Sequence, residues 1–226
     1  MDLLREFCTE SFSLIPKAIA AGARRIEFCG DLSVGGITPA TEDIRNAVCC
    51  AHSRGAAVMV MVRPRGGSFV YSDTERETML ETISTARSLQ ADGVVFGCLR
   101  EDEHGQLTLD KELTKALVDA AKEATTSAAP PLQVTFHMAF DELEPDAQLE
   151  AVDALAAMGV ERILTHGGPL CTPIAGNIEH LRKLVGHANG RLVIMPGGGI
   201  TWENAKQVAD LLGVHEVHGT KIVKLP

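Results

Sequence analysis

Aromatic side chains are scarce in this chain: one Trp, one Tyr and seven Phe make up 4% of its 226 residues. Single-stranded nucleic acids are held largely by stacking bases on such rings, so that platform is missing. A positive excess is missing too. With 21 Lys and Arg against 30 Asp and Glu the formal net charge is −9, the wrong sign for a phosphate backbone or an anionic membrane surface. Apolar runs such as Ala56–Val62 stop at seven residues, far below the ~20 that a spanning helix needs. The expected partners therefore exclude nucleic acid and membrane.

The first residues, Met1-Asp2-Leu3-Leu4-Arg5-Glu6, show no basic stretch leading into an apolar one, and the expected location is the cytoplasm. In a reducing compartment the six cysteines read as buried thiols, metal ligands or catalytic groups before they read as disulfides. No Cys-x-x-Cys pair occurs, which removes the zinc-ribbon pattern. Nucleophile elbow, dinucleotide fingerprint and kinase loop are all absent.

What the chain does have is alternation. Short apolar runs at Leu3–Cys8, Arg25–Cys29, Ala57–Arg63, Gly93–Gly97, Gln133–His137, Arg162–His166, Arg191–Met195 and Glu216–His218 read as eight strands. Amphipathic stretches lie between them. One follows Thr41; one opens on the capping box Ser72-Asp73-Thr74-Glu75; others carry Leu113, Ala116, Leu117 and Ala120, then Leu149, Val152 and Leu155, then Ile174, Ile178, Leu181 and Leu184. The last starts at Thr201 and stops at Gly213. Strand–helix alternation implies parallel pairing with right-handed crossovers, and eight repeats favour a closed (β/α)8 barrel, here a single domain over residues 1–226. After the eighth strand there is no room for a full helix, so the last helix is expected to be short or absent. That exposed sector makes a homodimer the expected assembly.

Side chains alternate between the two faces of a strand. Placing Phe7, Ile26, Phe28, Val58, Val60, Val62, Val134 and Phe136 outward, under the helices, leaves Glu6, Cys8, Glu27, Cys29, Met59, Met61, Arg63, Thr135 and His137 inward. Active sites of such barrels sit where the strands end. A packed interior has no need of two carboxylates, a guanidinium and an imidazole; the plain alternative is an ion-pair network plugging the barrel. None of the eight lysines falls on an inward face, which argues against Schiff-base chemistry.

The tripeptide Glu-Phe-Cys occurs twice, at Glu6-Phe7-Cys8 and Glu27-Phe28-Cys29, in the same phase on neighbouring strands. Cys8 and Cys29 are thus candidate metal ligands; two thiols with Met59 or Met61 nearby are soft donors of the kind Cu(I) selects. Free cysteine packed as a small hydrophobe is the competing reading. Arg63 and Arg65 after the third strand read as anion capture, or as internal partners of Glu6 or Glu27. Glu6, Glu27, His137 and Asp141 are candidate acid–base groups or ligands of a hard divalent metal. His166, the run Gly197-Gly198-Gly199, and Gly219 with Thr220 complete a candidate substrate-binding set, since loops after the last two strands are the usual phosphate site of this fold.

These segments, in order, resemble the CutC family of copper homeostasis proteins. The resemblance rests on Arg25-Ile26-Glu27-Phe28-Cys29, Gly35-Gly36-Ile37-Thr38-Pro39, Arg63-Pro64-Arg65-Gly66-Gly67 and Thr135-Phe136-His137-Met138-Ala139-Phe140-Asp141. Met195-Pro196-Gly197-Gly198-Gly199-Ile200 and Val217-His218-Gly219-Thr220 extend it over nearly the whole chain. It implies a barrel, a cytoplasmic location, self-association and a role in handling copper, with Cys8 and Cys29 at the family's copper thiols. Met138 stands where the family carries Arg. Three functions follow as expectations: a Cu(I) binder using Cys8 and Cys29; an enzyme acting on a small anionic or phosphorylated substrate; and a binding barrel without turnover.

Overall fold

The computed structural model describes residues 2–123 and 130–226. Eight parallel strands form one sheet: β1 Leu4–Thr9, β2 Arg25–Phe28, β3 Ala57–Met61, β4 Gly93–Phe96, β7 Gln133–Phe136, β8 Arg162–Thr165, β9 Val193–Pro196 and β10 Glu216–Gly219. Their order, β10-β1-β2-β3-β4-β7-β8-β9, curls the sheet so that β9 returns to β10. No ladder joins those two among the described residues, but just beyond them Trp202 donates its amide to the Lys221 carbonyl at 2.8 Å. The result is a nearly closed (β/α)8-type barrel, the expected fold.

Seven helices cover it among the described residues: α1 Ile15–Ala20, α2 Thr41–His52, α3 Asp73–Ser88, α4 Lys111–Lys122, α5 Pro145–Met158, α6 Ile178–Ala188 and α7 Ala205–Leu212. Local chemistry accounts for their ends. Ser72 and Glu75 form the expected reciprocal capping box on α3, the Asp110 side chain accepts from the Leu113 amide on α4, and Gly159 closes α5 at φ 86°, where a side chain would be strained. The segment after β10 contains no helix. Instead Ile222 and Val223 bury themselves against the barrel between α7 and α1.

Four details differ from the sequence reading. Helix α1 was not anticipated. A small antiparallel hairpin, β5 Leu99–Glu101 with β6 Leu107–Leu109, stands outside the barrel before α4. Helix α6 begins after a 3-10 turn at Ile174–Asn177. Helix α7 begins at Ala205 rather than Thr201, because the Asn204 side chain accepts the Thr201 amide and holds residues 201–204 in a separate turn.

The two faces of the strands make two separate interiors. Phe7, Ile26, Phe28, Val58, Val60, Val62, Val134 and Phe136 all lie in the large apolar layer between strands and helices. Each such buried side chain contributes about 1.5–3 kcal/mol relative to exposure. Inside the barrel, Cys8, Cys29, Met59, Met61 and Val95 form their own small cluster. Below it, at the N-terminal ends of the strands, is an ion network. Arg25 pairs with Glu6 and, at 2.6 Å, with Glu216; Arg162 reaches the same Glu216 oxygen at 2.7 Å.

Candidate metal centre

The site is assembled by the register of three adjacent strands. Residue Glu6 of β1 lies beside His218 of β10, and Cys8 lies beside Glu27 of β2. All of these point inward, as does Cys29 just past the end of β2. Ligand atoms of Cys8, Glu27 and Cys29 lie within 4.8 Å of one another, and so do those of Glu6, Glu27 and His218. The Cys29 thiol donates to Glu27 Oε1 at 3.5 Å. His218 Nδ1 donates to Glu6 Oε1 at 2.8 Å, and its Nε2 stands 3.9 Å from Glu27 Oε1. Glu27 Oε2 is buried without a hydrogen-bond partner among the described residues.

Burial sets the electrostatics. It would raise the Glu6 carboxyl, but Arg25 and His218 outweigh it and hold the group low, at about 2. Glu27, with no guanidinium beside it, is pushed up by burial. The hydrogen bond between Cys8 and Cys29, then burial and the Glu27 charge, lift the Cys8 thiol well above the usual range. The bond from Cys8 lowers the Cys29 thiol, yet burial and Glu27 prevail and push it up to about 11. Burial disfavours the His218 cation, but Glu27, Cys8 and Glu6 together raise its pKa well above that of a free imidazole. Without a bound cation the pair is therefore a neutral dithiol beside an imidazolium–carboxylate pair.

The remaining candidates occupy other positions. Arg63 is buried and donates to the backbone carbonyls of Val34, Gly36 and Gly67, with its guanidinium 4.6 Å from the Phe69 ring centroid. It is not paired with Glu6 or Glu27; it ties the loops after β2 and β3 together. Arg65 pairs with Glu75 and donates to the Ser68 and Val70 carbonyls. Asp141 accepts from the Thr165 hydroxyl and from the His166 and Gly167 amides, so it clamps the turn after β8 rather than meeting His137. The His166 ring nitrogens face the carbonyls of Gly197, Gly198 and Thr172 at 2.8–3.0 Å. A Cβ on Gly198, whose φ is +70°, would stand 2.8 Å from that ring, and one on Gly219 would stand 2.6 Å from the Ile200 carbonyl oxygen. Gly197 has no room for a Cβ beside Leu164, Gly199 has open space, and Thr220 is exposed at the end of β10.

His137 accepts the Ala139 amide at Nδ1, which puts its proton on Nε2, a buried atom without a partner among the described residues. Burial first, then the Arg63 charge, lower its pKa from 6.5 to about 3. The unfolded chain thus takes up a proton near pH 6.5 that the folded one refuses. The stability this group allows is complete above pH 6.5 and falls away as the pH drops toward 3. His137→Asn, which keeps an acceptor for Ala139, is expected to flatten that part of the pH–stability curve in urea denaturation. A curve parallel to that of the parent protein would contradict the assignment.

Clefts open at both ends of the barrel. One of about 670 Å³ opens over the ends of β1 and β2; Glu10, Asp31, Asp43 and Cys29 help to line it, and no Lys or Arg does. A larger one, about 730 Å³, lies at the opposite end beside Arg5, Arg24 and Lys206 and touches none of the candidate residues.

A model of the CutC family matches residues 3–223. The chain belongs to the CutC family. A CutC family protein of Enterococcus faecalis is 48% identical over 221 residues, covering 98% of this chain and 100% of its own length. The human copper homeostasis protein cutC homolog is 39% identical over 216 residues, 95% of this chain and 72% of the human one. The crystal structure of CutC from Streptococcus agalactiae superposes with a TM-score of 0.89 at 39% identity, over 98% of this chain and 100% of that one. In this CutC-family chain the sequence reading did not single out His218 or Arg25 as site residues. The signal for His218 was present: in Glu216-Val217-His218 the apolar Val217 faces outward, which turns its neighbours in.

Proposed function

We propose that this CutC-family protein binds Cu(I) through the thiols of Cys8 and Cys29 and serves in copper homeostasis. The observation that carries the reading is the convergence of those two thiols, on adjacent strands, in an interior cluster with the soft thioethers of Met59 and Met61. The acidic cleft beside Cys29 supports a cation over an anion as the visitor. The name of the human relative points the same way. The same reading has the protein working in a reducing cytosol, where free thiols persist. It also pairs two copies over the sector between α7 and α1 that no helix covers, beside exposed Trp202 and Leu211.

The test is an anaerobic competitive Cu(I) titration of the parent protein and of Cys8→Ser/Cys29→Ser. One Cu(I) held against the competitor, and none in the double variant, is the expected result. Equal retention by both would overturn the reading.

A second reading rests on three other atoms. Arg63 Nε, Thr135 Oγ1 and His137 Nε2 are buried polar atoms without partners among the described residues. Buried donors left this way are stabilised by a ligand that accepts from them. A small anionic or phosphorylated substrate would do so, with Glu6 and Glu27 as acid–base groups. Thermal shift with phosphorylated metabolites, followed by assay for product, separates this enzyme from a binding barrel without turnover.

A further inference from the structure

We propose that Cys8, Cys29, Glu27 and His218 form a four-donor site for a divalent cation of the zinc class. The inference rests on the reading that this cavity holds a metal, and it concerns which metal and which ligands. A two-thiol Cu(I) centre makes no use of the carboxylate and imidazole packed against it. A borderline cation does: zinc takes thiolate, imidazole and carboxylate together, in a tetrahedron.

Glu27 belongs to two groups of ligand atoms that each lie within 4.8 Å of one another, one with Cys8 and Cys29 and one with Glu6 and His218, and so links the thiols to the imidazole. Bond lengths of about 2.0–2.3 Å place neighbouring ligand atoms of a tetrahedral zinc site about 3.3–3.8 Å apart. Cys29 Sγ is 3.5 Å from Glu27 Oε1, and His218 Nε2 is 3.9 Å from the same oxygen. The other oxygen, Glu27 Oε2, is buried with no donor beside it among the described residues, so the carboxylate keeps an oxygen free to meet a cation. His218 presents the correct atom. Its Nδ1–H goes to Glu6, itself held by Arg25, and an imidazole anchored to a carboxylate on one nitrogen offers the other to a metal. On binding, the metal bonds to sulfur and to His218 Nε2 form as the two thiol protons and the Nε2 proton of the His218 imidazolium leave to solvent, and no oxidant or reductant is needed.

The probes are Co(II), whose colour reports coordination, and Cu(I), added separately to the metal-free full chain under anaerobic conditions. The expected result is a thiolate-to-cobalt charge-transfer band with intense tetrahedral d–d bands, both erased by one equivalent of Zn(II). Glu27→Gln and His218→Gln should each weaken Co(II) binding roughly 10–100-fold, the scale of perturbed metal sites, and change Cu(I) affinity by much less. Thermal melts confirm that each variant is folded, and agreement between the two variants guards against misfolding of either. A weak, octahedral Co(II) spectrum in the parent protein would overturn the proposal, as would Co(II) affinity indifferent to both substitutions. Tetrahedral Co(II) binding without Cu(I) retention would sink the copper reading and leave the zinc-class site standing.

Discussion

Arg25→Met is expected to destabilise the barrel by about 3–5 kcal/mol, the cost of removing one partner from a buried ion pair. Arg25 is almost wholly buried and holds two carboxylates at once, through Nε to Glu6 and through Nη2 to Glu216. Glu216 keeps Arg162, so the charge left short of a partner is that of Glu6, which is 0% exposed and retains only His218. Met matches the arginine stem and isolates the charge effect from lost packing. Adding Glu6→Gln to Arg25→Met removes the under-compensated charge and should recover part of the loss. Urea denaturation of the three variants measures both steps. A loss under about 1 kcal/mol for Arg25→Met, in the range of a solvent-exposed pair, would show that the network is not sealed from water.

The second large effect concerns Gly93. Its inward face leaves no room: a Cβ there would press into the end of Met59 and stand 2.6 Å from the Gln133 carbonyl oxygen. Met59 can bend away, but the carbonyl belongs to the neighbouring strand and cannot. Gly93→Ala should therefore cost about 1–3 kcal/mol as overpacking. It should also disturb the interior cluster of Cys8, Cys29, Met59 and Met61 by displacing Met59. The same substitution at Gly186, in α6 with open space around it, removes only backbone freedom and should stabilise by about 0.5–1 kcal/mol. Opposite signs for one chemical change are the prediction. Equal effects at both glycines would mean that barrel filling is not what Gly93 serves.

The barrel was legible because each of its strands buries one face under helices, so that Ile26, Phe28, Val58, Val60 and Val62 recur at every second position. Helix α1 is six residues long, too few turns to display a period, and the hairpin strands have three residues each and belong to no apolar alternation. The convergence of Cys8, Glu27 and Cys29 followed from the repeated Glu-Phe-Cys in one phase on neighbouring strands. His218 did not, because its place beside Glu6 depends on the last strand returning to the first, a matter of barrel closure and not of local pattern. The work of Arg63 was hidden for another reason. Its acceptors are the backbone carbonyls of Val34, Gly36 and Gly67, which carry no side-chain signature.

Copper handling through Cys8 and Cys29 requires that sulfur from the barrel interior bind the metal directly. X-ray absorption at the copper edge of the Cu(I)-loaded full chain reads this without reference to affinity. The expected result is a first shell of two sulfur scatterers that disappears in Cys8→Ser/Cys29→Ser. A first shell of nitrogen and oxygen, or a sulfur shell unchanged in the double variant, would contradict it.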